Sequence, residues 1–510
     1  MGFMLLPGKM IVGVLGDFDC DDGGLVLPCE HVLFKSLVCS STLPPLGQIG
    51  AAAVQFDALR DRHAVACSSP FTNPANARLC SKDTMFRELQ SLAAASAQPE
   101  IPLILELTPP SFGRDAAGLR ELAERSGVHI VMATGPPAHS ALDAPLDGDG
   151  EALVRSWSTR MERDLEFGVG DSDDPIVASA HSISSASARK SARIRAGVIA
   201  VAVGDGDHAG EAFGLRAAAR AAKTTGAPVF VHMPRVAAQQ ATLVANAPET
   251  CMHIAVGSVR NVPATAVPTL MGHANESLVT LLTEGVDLRR VVLCIGTGTL
   301  FRRDALGVAY AQSSSALQAA PVSAATSALA AVAAASACAA PWLAIMRRGA
   351  SLCFCSGTGA GSSLLAHGGA EPLASAEDVL DLLFGLLRAD PVCANRLLVS
   401  PGVCMKLQLQ CGGGAGYASM VHLAKRISMS DVGTDAARQV LGANALKLVR
   451  WWTPPAAVEV PAHFIRCTIC DSPFEPIEGE YFSKFSFVYC GTKCLRKHRK
   501  AGFKPRMQNT

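Results

Sequence analysis

The chain lacks an excess of either charge: 45 Lys and Arg face 44 Asp and Glu, leaving a formal net charge of +1 over 510 residues. It therefore exerts no global electrostatic pull toward nucleic acid or a membrane surface. A charged-then-apolar leader is also missing, and the 17 cysteines are scattered without the spacing of a small secreted disulfide framework. A reducing, cytoplasmic setting is expected. Met1-Gly2 invites a myristoylation reading, but Leu6 stands where that signal needs a hydroxyl. The uncharged stretch from Ala305 to Met346 is mostly Ala and Ser and is broken by Pro321 and Pro341. An insert followed by a barrel helix is expected there, not a membrane span. Aromatic residues amount to 5% of the chain, and the segment after Trp451-Trp452 concentrates them.

Apolar residues are plentiful, 49% with a mean hydropathy of +0.26, enough for a large buried core. Short β-branched runs alternate with helix-like segments at Asp115–Ser126, Glu211–Thr224 and Ala376–Leu387. Eight strand-then-helix units predict the α/β class and a (β/α)8 TIM barrel, whose active side is the C-terminal end of its strands. The length is absorbed by long low-complexity insertions at Pro137–Gly150, Ser172–Ser191, Pro234–Val267 and Arg302–Ala340. After a seventh strand at Ala350–Cys355 comes Gly357-Thr358-Gly359-Ala360-Gly361-Ser362-Ser363. This run suits either an anion-cradling loop or a plain glycine turn before a helix.

Eight phrases carry a more specific signal. Gly24 to His31 is an apolar strand ending Cys29-Glu30-His31. Glu106-Leu107-Thr108 precedes Gly113-Arg114-Asp115, and Gly127 to Val131 leads to Thr134-Gly135. Further on stand Arg195 to Val201, Pro228 to His232, Val291 to Thr297, Arg396 to Gly402 and the glycine-rich Gly413 to Tyr417. Over roughly residues 9–452 these resemble the phosphotriesterase-related family of the amidohydrolase superfamily. That resemblance implies a binuclear metal centre held by His-x-His on the first strand, a carboxylated Lys or a Glu on the fourth, His on the fifth and sixth, and Asp on the eighth. His31 and His232 match family ligands. Cys29 replaces the first His, Ala200 and Val201 occupy the bridging slots, Thr297 replaces the sixth-strand His and Gly402 the Asp. The usual hydrolysis, in which two ions activate a bridging water, is then expected to be lost. Two readings of Cys29, His31 and His232 stand side by side: a softer substitute site for one zinc ion, or ordinary barrel-interior residues.

Beyond a linker at 453–462, Cys467-x2-Cys470, nineteen residues, and Cys490-x3-Cys494 give paired thiols at a spacing that suits tetrahedral zinc, with His498 after three more residues. A segment this short needs metal to fold. The phrase Phe487 to Cys494 resembles the aromatic-Cys-Gly-x-x-Cys knuckle of FCS and TRASH zinc fingers. A finger over 463–503 is expected, with one of the five Cys and His candidates spare, and a basic tail at 504–510. Arg496, Lys497, Arg499, Lys500, Lys504 and Arg506 beside Phe503 suit an acidic protein partner or nucleic acid, or equally a solvated helix face.

Three functions are thus in view. The first is a non-catalytic barrel, a pseudoenzyme that takes a small-molecule ligand in its mouth or serves as a scaffold, with the finger docking a protein partner. The second is a residual zinc-dependent hydrolase of ester or lactone bonds. The third is a nucleic-acid-binding module carried by the finger.

Overall fold

The structure, a computed structural model, describes residues 10–20, 24–34, 76, 78–96, 101–136, 150–169, 193–203, 209–233, 266–296, 342–355, 383–388, 390–453, 465–469, 473–474, 482–484, 487–489 and 492–500. The chain divides into two compact units, Gly8–Trp452 and a second made of Met1–Pro7 with Thr453–Thr510. Of the four expected insertions only Gly150, Ala266 and Val267 fall among the described residues, and those at Ser172–Ser191 and Arg302–Ala340 lie wholly outside them. The glycine run 357–363 and Thr297 lie outside them.

In the larger unit the strands are β1 (Met10–Gly13), β2 (Gly16–Phe18), β3 (Val26–Glu30), β4 (Leu103–Glu106), β5 (His129–Thr134), β6 (Val198–Ala202), β7 (Val229–His232), β8 (Val291–Gly296), β9 (Ser351–Cys355), β10 (Leu397–Ser400) and β11 (Arg450–Trp452). Strands β3 to β10 form one parallel eight-stranded sheet in sequential order. Hydrogen bonds bring its two edges together: the Cys29 N–H donates to Ser400 Oγ at 3.0 Å, and the His31 N–H to the Val403 carbonyl at 3.1 Å. The result is the expected TIM barrel.

Alternation along each strand sorts two cores. Leu105, Val131, Ala200, Phe230, Val292 and Leu398 fill the barrel interior, while Ile104, Ile130, Ile199, Val231, Leu293 and Leu352 face the surrounding helices. Among those helices, Ala116–Ser126 starts where the Asp115 carboxylate accepts the Gly118 N–H at 2.8 Å, and it stops at Gly127, φ 72°. Both signals are the usual local ones. Helices Glu151–Glu166 and Ala209–Thr225 are tied by Arg216, which reaches Glu151 at 2.9 Å and Glu284 at 2.8 Å.

A three-stranded antiparallel sheet in the order β11-β1-β2 packs on the opposite, N-terminal ends of the strands. The Val14 N–H donates to the Ile130 carbonyl at 3.0 Å, the Trp451 indole N–H to the Gly197 carbonyl at 2.7 Å, and Phe18 stacks on His129 at 4.3 Å. Nothing in the eight barrel phrases announced this cap, because its strands are three or four residues long and β11 lies about 440 positions along the chain from β1. Among the described residues, no helix is long and apolar enough to cross a membrane.

Candidate functional site

The C-terminal ends of the barrel strands gather Cys29 and His31 from β3 and its exit, His232 from β7, Cys355 from β9 and Gly402 after β10, with Cys294 of β8 and Cys353 of β9 inside the barrel interior. The His31 and His232 rings stand 5.6 Å apart. Nδ1 of His31 is 3.0 Å from Thr108 Oγ1, and the His31 carbonyl accepts the buried Tyr417 hydroxyl at 2.6 Å. Tyr417 reaches it because the preceding glycine turn packs tightly: Gly416 has φ 62°, and a Cβ there would meet Glu88 Oε2 at 2.2 Å.

Among the described residues, Cys29 forms its ligand groupings with partners other than His31. Its side chain enters the interior, where one potential ligand atom each from Cys29, His232 and Cys294 all lie within 4.8 Å of one another, as do those of Cys29, Cys353 and Cys355. The Cys353 thiol lies within 4.8 Å of those of Cys29 and Cys355, and its backbone pairs with that of Cys294 on β8. Hydrogen bonding to Cys294, together with burial, pushes the Cys29 thiol up to about 12. Burial likewise holds Cys353 above the ordinary thiol range. None of the described cysteines forms a disulfide. The sequence points to Cys29, His31 and His232, and the contribution of Cys294, Cys353 and Cys355 emerges only in the fold. Alternation puts Cys353 on the same face as Cys355, but a cysteine inside a buried strand reads as core.

The slots for a binuclear centre are filled differently. Ala200 faces the interior and Val201 the helix layer, both buried, so the bridging position carries a methyl group. At the eighth-strand position Gly402 has φ 66°, and a Cβ built there would lie 2.7 Å from Cys355 Cβ. An aspartate at this place would be strained in backbone and would clash with β9. The Gly402 N–H instead donates to Glu30 Oε1 at 2.9 Å, the Val403 N–H donates to Glu30 Oε2 at 2.7 Å, and the Ser400 hydroxyl donates to Glu30 Oε1. Glu30 is fully buried, and burial pushes its carboxyl from the ordinary 4.5 up to about 8 against the pull of these donors. Glu106, on the other side of β3, accepts the Val32 and Thr108 N–H groups, both at 3.2 Å, and burial raises it to about 7. These two carboxyls act as pins at the barrel seam, each spent on backbone donors.

In the smaller unit, β12 (Ile465–Arg466) pairs with β13 (Pro473–Phe474), and β14 (Phe482–Lys484) with β15 (Phe487–Tyr489), followed by helix Thr492–Lys500. The Thr468 N–H donates to the Val488 carbonyl at 2.8 Å, and the Val488 N–H returns to Thr468 Oγ1 at 3.0 Å. This pair docks the turn after Cys467 against the strand that runs into Cys490, while Cys494 lies on the first turn of the helix. Cys470 and Cys490 lie outside the described residues. His498 is buried, its Nδ1 is 2.9 Å from the Tyr489 hydroxyl, and its ring packs edge-on to Phe487 at 4.8 Å. Arg496, Lys497, Arg499 and Lys500 are exposed on the same helix; Phe503, Lys504 and Arg506 lie outside the described residues.

Two comparisons give the architecture a context. Residues 462–506 match the family model of the Vms1-associating treble clef domain. Among solved structures, a resiniferatoxin-binding protein from Rhodobacter sphaeroides is 21% identical with a TM-score of 0.53, covering 86% of this chain and 95% of its own. The lactonase Lmo2620 from Listeria monocytogenes is 13% identical with a TM-score of 0.50, covering 87% and 100%. A phosphotriesterase homology protein from Escherichia coli, complexed with phosphate, is 15% identical with a TM-score of 0.47. No curated protein matches the chain. The first two structures share the fold of the large unit, and the chain therefore joins a TIM barrel to a C-terminal treble clef.

Proposed function

We propose that the barrel has given up binuclear hydrolysis and serves as a ligand-binding or scaffold module, while the treble clef holds zinc and docks a protein partner. The observation that carries this reading is Gly402. The position that would supply the metal-binding, proton-shuttling carboxylate has a left-handed backbone, no room for a Cβ against Cys355, and an N–H committed to Glu30. Ala200 supports it by leaving the bridging slot apolar. A small molecule in the barrel mouth is bound and released unchanged.

In the treble clef, Cys467, Cys470, Cys490 and Cys494 supply four thiolates. The bond from Tyr489 to Nδ1 of His498, with Phe487 against the ring, favours His498 as part of the small core. Zinc would supply the folding energy that two two-stranded hairpins and one helix lack. The exposed arginines and lysines of helix Thr492–Lys500 fit an acidic protein surface, and the cysteine usage fits a cytoplasmic location.

Equilibrium dialysis of the full chain against a panel of esters and lactones, followed by mass analysis of the bound fraction, tests the reading. Ligand retained and recovered intact is expected. Recovery of the corresponding acid would overturn it.

A further inference from the structure

We propose that the barrel carries a mononuclear zinc site made by Cys29, Cys294 and His232. The site differs from the trio that sequence spacing suggests, since Cys294 takes part and His31 is turned toward Thr108.

The argument begins with geometry. One ligand atom from each of the three residues lies within 4.8 Å of the other two. A tetrahedral zinc ion with bonds of roughly 2.0–2.3 Å holds such atoms about 3.5–3.8 Å apart. Small side-chain rotations of the cysteines and the histidine span the difference, and the three ligands come from adjacent or facing strands of a rigid barrel: His232 and Cys294 are directly paired neighbours on β7 and β8.

Charge then selects the ligand set and the ion. The surroundings are apolar, with Phe230, Val292, Ala200 and Leu398 in the same interior cluster, so a complex with net charge would be costly. Two thiolates and a neutral imidazole cancel a divalent ion. The alternative group of Cys29, Cys353 and Cys355 would leave one uncompensated negative charge. A monovalent copper ion on the Cys29, Cys294 and His232 set would do the same, and magnesium or calcium would demand oxygen ligands. Binding displaces one proton from each of Cys29 and Cys294 to solvent. Cys353, whose thiol lies within 4.8 Å of that of Cys29 and whose backbone is the strand partner of Cys294, can donate its single S–H to one of the two thiolates and orient it, as outer-shell groups do in zinc sites.

This site does not depend on the loss of hydrolysis, since occupancy and turnover are separate readouts and either inference can fail alone. The test is metal stoichiometry by elemental analysis on the purified full chain after zinc loading and removal of loose metal. Two equivalents are expected in the parent chain. One equivalent should be lost in Cys294→Ala and in His232→Ala, and none in Cys393→Ala, which removes a buried thiol outside the cluster. Cobalt loading gives a second readout: thiolate-to-cobalt charge-transfer absorption should persist in Cys467→Ser and fall further when Cys294→Ala is added. A single equivalent in the parent chain that disappears in Cys467→Ser would overturn the proposal. So would stoichiometry and cobalt absorption unchanged in both barrel variants.

Discussion

Glu30 shows how one buried carboxyl can hold the barrel closed. Its carboxyl takes the Gly402 and Val403 N–H groups and the Ser400 hydroxyl, and so fixes the loop after β10 in which Gly402 stands. Glu30→Gln turns an NH2 group toward one of these donors, and a cost of about 1–3 kcal/mol is expected from the unsatisfied pair. The pH dependence follows from the raised carboxyl. Glu30 binds its proton more tightly in the folded chain than in the unfolded one, so its contribution is fully present below about pH 4.5 and is lost as pH rises through about 8. Glu106 acts in the same direction and finishes near pH 7. Urea unfolding at several pH values should therefore show barrel stability falling between pH 4.5 and 8, with the portion above pH 7 absent in Glu30→Gln. A flat profile in the parent chain would refute the assignment.

At the scale of elements, the legible and the illegible parts of the sequence separate by physical cause. The eight barrel strands were readable because each is a buried apolar run between helical periodicities, and the helix at Ala116–Ser126 announced both of its ends through Asp115 and Gly127. The cap sheet was not readable: β1 and β11 are short, and only their long-range pairing gives them meaning. In the site, Cys29, His232 and Gly402 were found by their places at strand ends. Cys294 and Cys353 lie inside strands, where a cysteine is indistinguishable from core until the barrel closes. Glu30 was masked by its neighbours, since a charge between two ligand-like positions reads as a solvated residue. In the treble clef the five-candidate ligand set can be narrowed by measurement. Zinc affinity by chelator competition should fall on the order of 100-fold or more in Cys494→Ser, as expected when one of four ligands to a structural zinc is removed. In His498→Ala it should fall by no more than the roughly 10–100-fold of an outer-shell change, with the thermal transition of the unit lowered. The reverse ranking would place His498 on the metal.

For the whole molecule, the fold and the proposed chemistry point in different directions. The large unit is built like barrels that include a lactonase, yet at its strand ends thiols, a methyl group and a left-handed glycine stand where that resemblance implies imidazoles and carboxylates. A fold supports many chemistries because its site residues change independently of its strands. Here the change has been fixed by packing, with Cys355 occupying the space that a side chain at position 402 would need. The most direct measurement is the steady-state hydrolysis of carboxyl esters, lactones and phosphotriesters by the full chain with zinc or manganese in excess. The account predicts a rate indistinguishable from that of His232→Ala and from buffer. A metal-dependent rate well above both, abolished by His232→Ala, would contradict it.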